Sequence, residues 1–65
     1  MKGKVKFFNV SKGFGFILGE DNQDYFVHVS KVIGRVDGII EKDMEVEFDV
    51  TTTARGNQAI NVVVI

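Results

Sequence analysis

The clearest alternation in the chain runs through Met44, Val46, Phe48 and Val50, which are separated by Glu45, Glu47 and Asp49. Successive side chains on a strand point to opposite faces, so this stretch predicts a strand with one buried face and one wet, negative face. The same period of two appears upstream in weaker form. It predicts a first strand over about Lys4 to Asn9, a second over about Gly13 to Gly19 and a third over Tyr25 to Val29. Val10-Ser11-Lys12 joins the first two, and Glu20 to Asp24, where Asp21-Asn22 suits a tight reversal, joins the next two. A last strand begins near Gln58, with Ile60, Val62 and Val64 on one face and Ala59, Asn61, Val63 and Ile65 on the other.

Ser30 to Lys42 shows no such alternation. Ser30 is placed to cap a short helical turn through Val32 and Ile33, ahead of a loop carrying Gly34, Arg35, Asp37 and Gly38. Thr51 to Asn57 is a second connection, with Arg55-Gly56 near its tip. No segment has the length and period of a good helix. Five strands in a 65-residue chain predict an all-β fold, one domain over residues 1–65, closed into a small barrel that leaves no open edge.

The second strand is ambiguous by itself. Phe14, Phe16 and Leu18 share one face, and Gly15, Ile17 and Gly19 share the other, so either the phenylalanines form the core or Ile17 does. The third strand helps to decide. Phe26 and His28 share a face opposite Tyr25, Val27 and Val29, and a histidine on that face favours turning it outward, which an exposed pair on the neighbouring strand would match.

Composition adds pressure in the same direction. Six phenylalanines and one tyrosine are too many rings for so small an interior once Phe48, Ile17, Tyr25, Val27, Val46 and Val62 are placed, so some rings are expected on the surface. The net charge of −1 does not advertise a polyanionic partner, but its distribution does. Residues 1–19 hold Lys2, Lys4, Lys6 and Lys12 with no acid, giving +4, while residues 20–65 hold four basic and nine acidic side chains, giving −5. Exposed rings beside lysines suit unpaired bases, which stack on aromatic faces at roughly 1–3 kcal/mol per base, with phosphates tracked by the cations. Gly13 and Gly15 would leave the surface flat between the rings.

Other chemistry is poorly supported. The chain has no cysteine and a single histidine, His28, whose nearby acids Asp24 and Glu20 form no recognised ligand spacing, so no metal and no cofactor are expected. No nucleophile, base or metal constellation suggests an enzyme, and no small-molecule substrate is implied. A signal-peptide pattern and a run of about 20 apolar residues are both lacking, so the expectation is a soluble cytoplasmic protein with no membrane partner.

The strings KGFGFI at 12–17 and YFVHV at 25–29, preceded by GKVKFFN at 3–9 and followed by EKDMEVEF at 41–48 and QAINV at 58–62, resemble the cold shock domain family over essentially the whole chain. That resemblance implies a five-stranded antiparallel OB-fold barrel that binds single-stranded RNA and DNA. It further implies an RNA chaperone that melts or prevents weak secondary structure in cold or stress response, with transcription antitermination as a related role. It assigns stacking to Phe7, Phe14, Phe16, Phe26 and His28, and a place in the same patch to Phe8. Lys6 and Lys12 become basic contacts, Arg55 a basic residue at the rim, Asn9 a polar neighbour of bound bases and Asp24 an acceptor for a base edge. Strict alternation places Phe7 beside inward Val5, whereas the family places its equivalent on the binding face; a bend or bulge after Lys6 would reconcile the two.

Four differences from the family pattern bear on binding strength. Phe7 stands where tryptophan is usual, Val29 where many bacterial members carry a phenylalanine, and Val36 and Asp37 where a further aromatic is usual. Asn57 replaces a usual proline. A shorter or weaker platform is expected. The rival reading is an OB-fold protein-interaction module that uses the acidic fourth strand and the apolar ending Val62-Val63-Val64-Ile65, with dimer formation through that last strand as the alternative to a monomer.

Overall fold

A computed structural model of the chain describes residues 1–33 and 40–65. The expected loop around Gly34, Arg35, Asp37 and Gly38 lies outside the described residues, as does Val36. Among the described residues there are five strands: β1 (Lys2–Asn9), β2 (Phe14–Gly19), β3 (Asp24–His28), β4 (Glu45–Thr53) and β5 (Gly56–Val64). They close into a barrel in the order β1-β2-β3-β5-β4.

One pairing departs from a fully antiparallel pattern. β3 and β5 run parallel, bridged at Phe26 and Gln58, while β1–β2, β2–β3, β1–β4 and β4–β5 are antiparallel. Parity requires this: an odd number of strands cannot alternate in direction all the way round a closed ring. The parallel seam is extended by the Val32–Val62 bridge and by the Ile33 amide, which donates to the Val62 carbonyl at 2.8 Å.

Two bulges set which side chains face inward. In β1 the register passes from Val5 opposite Ile17 to Phe7 opposite Phe16, leaving Lys6 as the extra residue. In β5 it passes from Val63 opposite Glu47 to Ile60 opposite Asp49, and Asn61 takes a left-handed φ of 52° there. Asparagine tolerates that conformation better than a β-branched residue. The shift by one position turns both Ala59 and Val62 inward, so the expected single face of Ile60, Val62 and Val64 does not exist.

Among the described residues the core consists of Val5, Ile17, Tyr25, Val27, Ile40, Val46, Phe48, Ala59 and Val62, with the Tyr25 and Phe48 rings 5.4 Å apart. Ile17, rather than Phe14 or Phe16, fills the interior from β2. Val50 was expected to join Met44, Val46 and Phe48 but is exposed. β4 is bonded to β1 only over Glu45–Glu47, continued by the Phe48 amide donating to the Met1 carbonyl, and Val50 lies beyond that second partner.

The turn after β3 also differs from expectation. It is a single 3₁₀ turn, Val29–Lys31, and the residue that caps it is His28, whose Nδ1 accepts from the Ser30 amide at 3.1 Å. Ser30 lies inside the turn, and Val29, no longer in the strand, is exposed.

Candidate nucleic-acid interface

With the core complete, four phenylalanine rings remain on the outer face of β1, β2 and β3, and they touch in series. Phe7 meets Phe14 edge-on with centroids 6.5 Å apart, Phe14 stacks on Phe26 at 5.8 Å with planes 23° apart, and Phe26 meets Phe16 edge-on at 5.8 Å. Register produces this row, because Phe7 sits opposite Phe16, Phe16 opposite Phe26, and Phe14 opposite His28. Phe7 is the most exposed of the four at 47%, Phe16 follows at 38%, and Phe14 and Phe26 are half-buried by their neighbours. His28 extends the row at the exposed end of β3, its ring held by the Ser30 amide and hydroxyl.

The bulge at Lys6 is what brings Phe7 out. Without the extra residue Phe7 would point inward beside Val5; with it, Lys6 and Phe7 are both exposed. Phe8 then turns back, sits opposite Gly15 and packs against the core, so it supports the row from beneath rather than extending it. Gly15 serves that packing. A Cβ there would meet the Phe8 ring at 2.7 Å and come closer still to the Phe7 carbonyl, so the glycine permits the close approach of β1 and does not act as a flat spacer between exposed rings.

The charged residues are arranged differently from the lysine count. Lys6 Nζ lies 3.1 Å from the Asp24 carboxylate, an exposed ion pair at the flank of the row that joins two side chains expected to contact nucleic acid separately. Lys4 and Lys2 stand opposite Glu45 and Glu47 of β4. Lys12 is exposed in the β1–β2 turn, where the Asn9 side-chain oxygen accepts its backbone amide at 3.0 Å. Asn9 therefore shapes the loop that presents Lys12.

Arg55 reaches the opposite end of the row. It lines a cleft of about 220 Å³ with Phe16, Phe26, Asn57 and Gln58. Asn57 and Gln58 were not singled out as site residues from sequence. The signal was the hairpin pairing of β4 with β5, which sets Asn57 opposite Thr52 and Gln58 opposite Thr51, while the parallel bridge brings Gln58 to Phe26. Among the described residues there is no group of three or more His, Cys, Asp or Glu side chains arranged to hold a metal ion, and no helix is long and apolar enough to cross a membrane.

The arrangement offers flat apolar faces with a few hydrogen-bonding and charged groups at the margins, suited to holding planar rings and not to breaking bonds. Comparison with known proteins points the same way. Residues 1–65 match the 'Cold-shock' DNA-binding domain. The chain is 52% identical over 65 residues to the cold shock-like protein CspC of Bacillus cereus, covering 97% of each. It is 44% identical over 66 residues to the cold shock-like protein CspE of Escherichia coli K12, covering 100% of this chain and 96% of that protein. Among solved structures, drosophila Unr CSD456 superimposes with a TM-score of 0.76 at 25% identity, over 98% of this chain and 26% of that one.

Proposed function

The chain belongs to the cold-shock DNA-binding domain family, a nucleic-acid-binding and not an enzymatic family, and from that premise we propose that it binds single-stranded RNA and DNA on the row of Phe7, Phe14, Phe16, Phe26 and His28. The observation that carries the reading is the continuous contact of four rings on one face of a barrel whose core is complete without them. A soluble domain has little reason to expose such a row unless a ligand covers it.

The mechanism follows from magnitudes. Each base stacked on a ring contributes roughly 1–3 kcal/mol, whereas each base-pair step of a DNA duplex holds about 1.4 kcal/mol on average. A row of this length offsets the opening of a few pairs and not of a long duplex. The protein thus acts as an RNA chaperone in the cytoplasm: it traps transiently opened strands, disfavours weak hairpins in cold or stress, and by the same action weakens terminator-like hairpins in nascent transcripts. The row lies on one chain, so a monomer suffices. The loss of an aromatic at Val29 shortens the platform.

Titration with fluorescent single-stranded and duplex oligonucleotides at two salt concentrations tests this. Preference for single strands, weakened by salt, is expected. Equal binding of duplex and single strand would remove the stacking reading.

A further inference from the structure

The outer face of β2 carries no polar side chain. Phe14, Phe16 and Leu18 share it, and Leu18, 40% exposed, stands beyond the last ring of the row. One exposed leucine is ordinary on a protein surface, but the placement of this one is not. Same-face residues on a strand follow one another at about 6.6 Å, so Leu18 continues the line from Phe14 through Phe16. Its cross-strand neighbours are both charged, Lys4 on β1 and Asp24 on β3. Lys6 and Asp24 lie on the strands either side of β2, so their ion pair spans its outer face. Lys6 is the extra residue just before the Phe7–Phe16 pair, and Asp24 is level with Leu18. A cation therefore lies between the last ring and the leucine.

We propose that Leu18 is a further seat for single-stranded nucleic acid, holding one nucleotide beyond the base stacked on Phe16, with the phosphate that joins the two drawn to Lys6. This rests on the single-strand reading above and displaces the platform along β2: what is lost at the Val29 end is offset at the Leu18 end. An aliphatic side chain has no π-face, but it offers a base or sugar an apolar floor. Covering the two-fifths of a leucine still exposed corresponds to a gain of about 3- to 8-fold in affinity. The charges around it favour this occupant. An apolar protein surface would have to strip water from Lys4, Lys6 and Asp24 without replacing it, whereas a nucleotide brings a phosphate to the amines and base-edge donors to the carboxylate.

The test is a length series of one homopolymer, oligouridylates from trimer to nonamer, titrated against the full chain and against Leu18→Thr and Leu18→Phe. Both replacements suit a strand, and circular dichroism checks that each variant folds. Affinity should rise with length and level off once every seat is filled. Leu18→Thr is expected to level off one nucleotide earlier, binding the trimer as the unmodified chain does and the nonamer about 3- to 8-fold more weakly. Leu18→Phe supplies a ring and is expected to keep the extra step and enlarge it. If Leu18→Thr stays within about 2-fold of the unmodified chain at every length, the inference fails while the single-strand reading stands. An equal loss at every length also overturns it, because the leucine would then only support Phe16. Self-association that disappears in Leu18→Thr with no change in affinity would give the leucine to a second copy of the chain and overturn it as well. If the unmodified chain binds no length, both readings fail.

Discussion

The outer face of β1–β3 and the outer face of β4 are built on the same alternating backbone around the same core, yet they carry opposite chemistry. The first carries Phe7, Phe14, Phe16, Phe26 and His28, of which Phe7, Phe16 and His28 are exposed and the other two half-buried. The second exposes Glu45, Glu47 and Asp49, with the Asp49 carboxylate accepting from the Asn61 side-chain Nδ2 at 3.1 Å. Only the first departs from the ordinary polar-out rule, and it does so without weakening the interior, because Ile17, Tyr25 and Val27 already fill the inner faces of β2 and β3. Stability resides on the inner faces, and the binding proposed for the outer face of β1–β3 is therefore separable from it.

The largest effect expected from testing that separation is on stability. Phe48→Ala removes a 2%-exposed ring from the core, an excision that costs roughly 3–5 kcal/mol. A single small core rarely supplies more than that, so the variant should be largely unfolded at 25 °C by circular dichroism. Phe26→Ala, which removes an equal ring from the outer face, should remain folded. If the two variants melt alike, the outer rings belong to the core and the comparison collapses.

Affinity should show the reverse. Phe26 touches both Phe14 and Phe16 and is the centre of the row, so Phe26→Ala should lower affinity for a single-stranded hexamer about 5- to 150-fold, the loss of one stacked base. Glu47→Ala on the acidic face should leave it within about 2-fold. Fluorescence titration at one salt concentration compares them directly.

The sequence made parts of this division legible and hid others for identifiable reasons. Met44 to Phe48 could be read directly, because charges alternate with apolar residues. The outward turn of Phe14 and Phe16 was legible only through their neighbours, since His28 marked the wet face of β3. Phe7 was not reachable from periodicity at all: one unpartnered residue, Lys6, reverses the parity of the strand, and only the family resemblance put the ring outside. Phe8 was missed for the same reason in reverse. In β5, residues 62–64 are apolar on both faces, so the pattern could not register the extra residue at Asn61 that sends Ala59 and Val62 inward together. The cap was assigned to Ser30 because serine is a common capping residue, but the strand ends one residue early and the His28 ring takes that role.

Charge gives a subtler contrast. The +4 of residues 1–19 reads as a basic surface, but Lys2 and Lys4 stand opposite Glu47 and Glu45, and Lys6 is paired with Asp24. Binding should therefore depend on salt less steeply than four lysines suggest, each phosphate contact contributing about 0.7 to the slope of log affinity against log salt for single strands. Lys12→Ala should reduce the slope by about that amount. Asp24→Asn releases Lys6 from an exposed pair worth at most about 1 kcal/mol and should steepen it. A slope unchanged by Asp24→Asn would mean that Lys6 does not reach phosphate.

The smallest effect lies at the β2–β3 turn, where the inner face of β3 reaches solvent. Tyr25 is buried, but its hydroxyl donates to the Asp21 carboxylate; that bond holds Asp21 below the usual carboxylate range, desolvation opposing it and the Gln23 amide adding to it. The same bond raises Tyr25 above the usual phenol range. A lowered carboxylate pKa contributes stability that is present above about pH 4, the unfolded value, and is lost as pH falls through the folded one. A raised phenol pKa contributes stability that is complete below about pH 10 and is lost as pH rises through the folded value. Tyr25→Phe keeps the ring in the core, removes the phenol contribution and takes away the largest part of the Asp21 one, leaving the part due to the Gln23 amide. Its melting temperature, measured from pH 2.5 to 7, should fall less in acid than that of the parent chain, while affinity for a single-stranded hexamer at neutral pH stays the same. A parallel loss of affinity would show that the inner and outer faces of β3 are coupled through the strand.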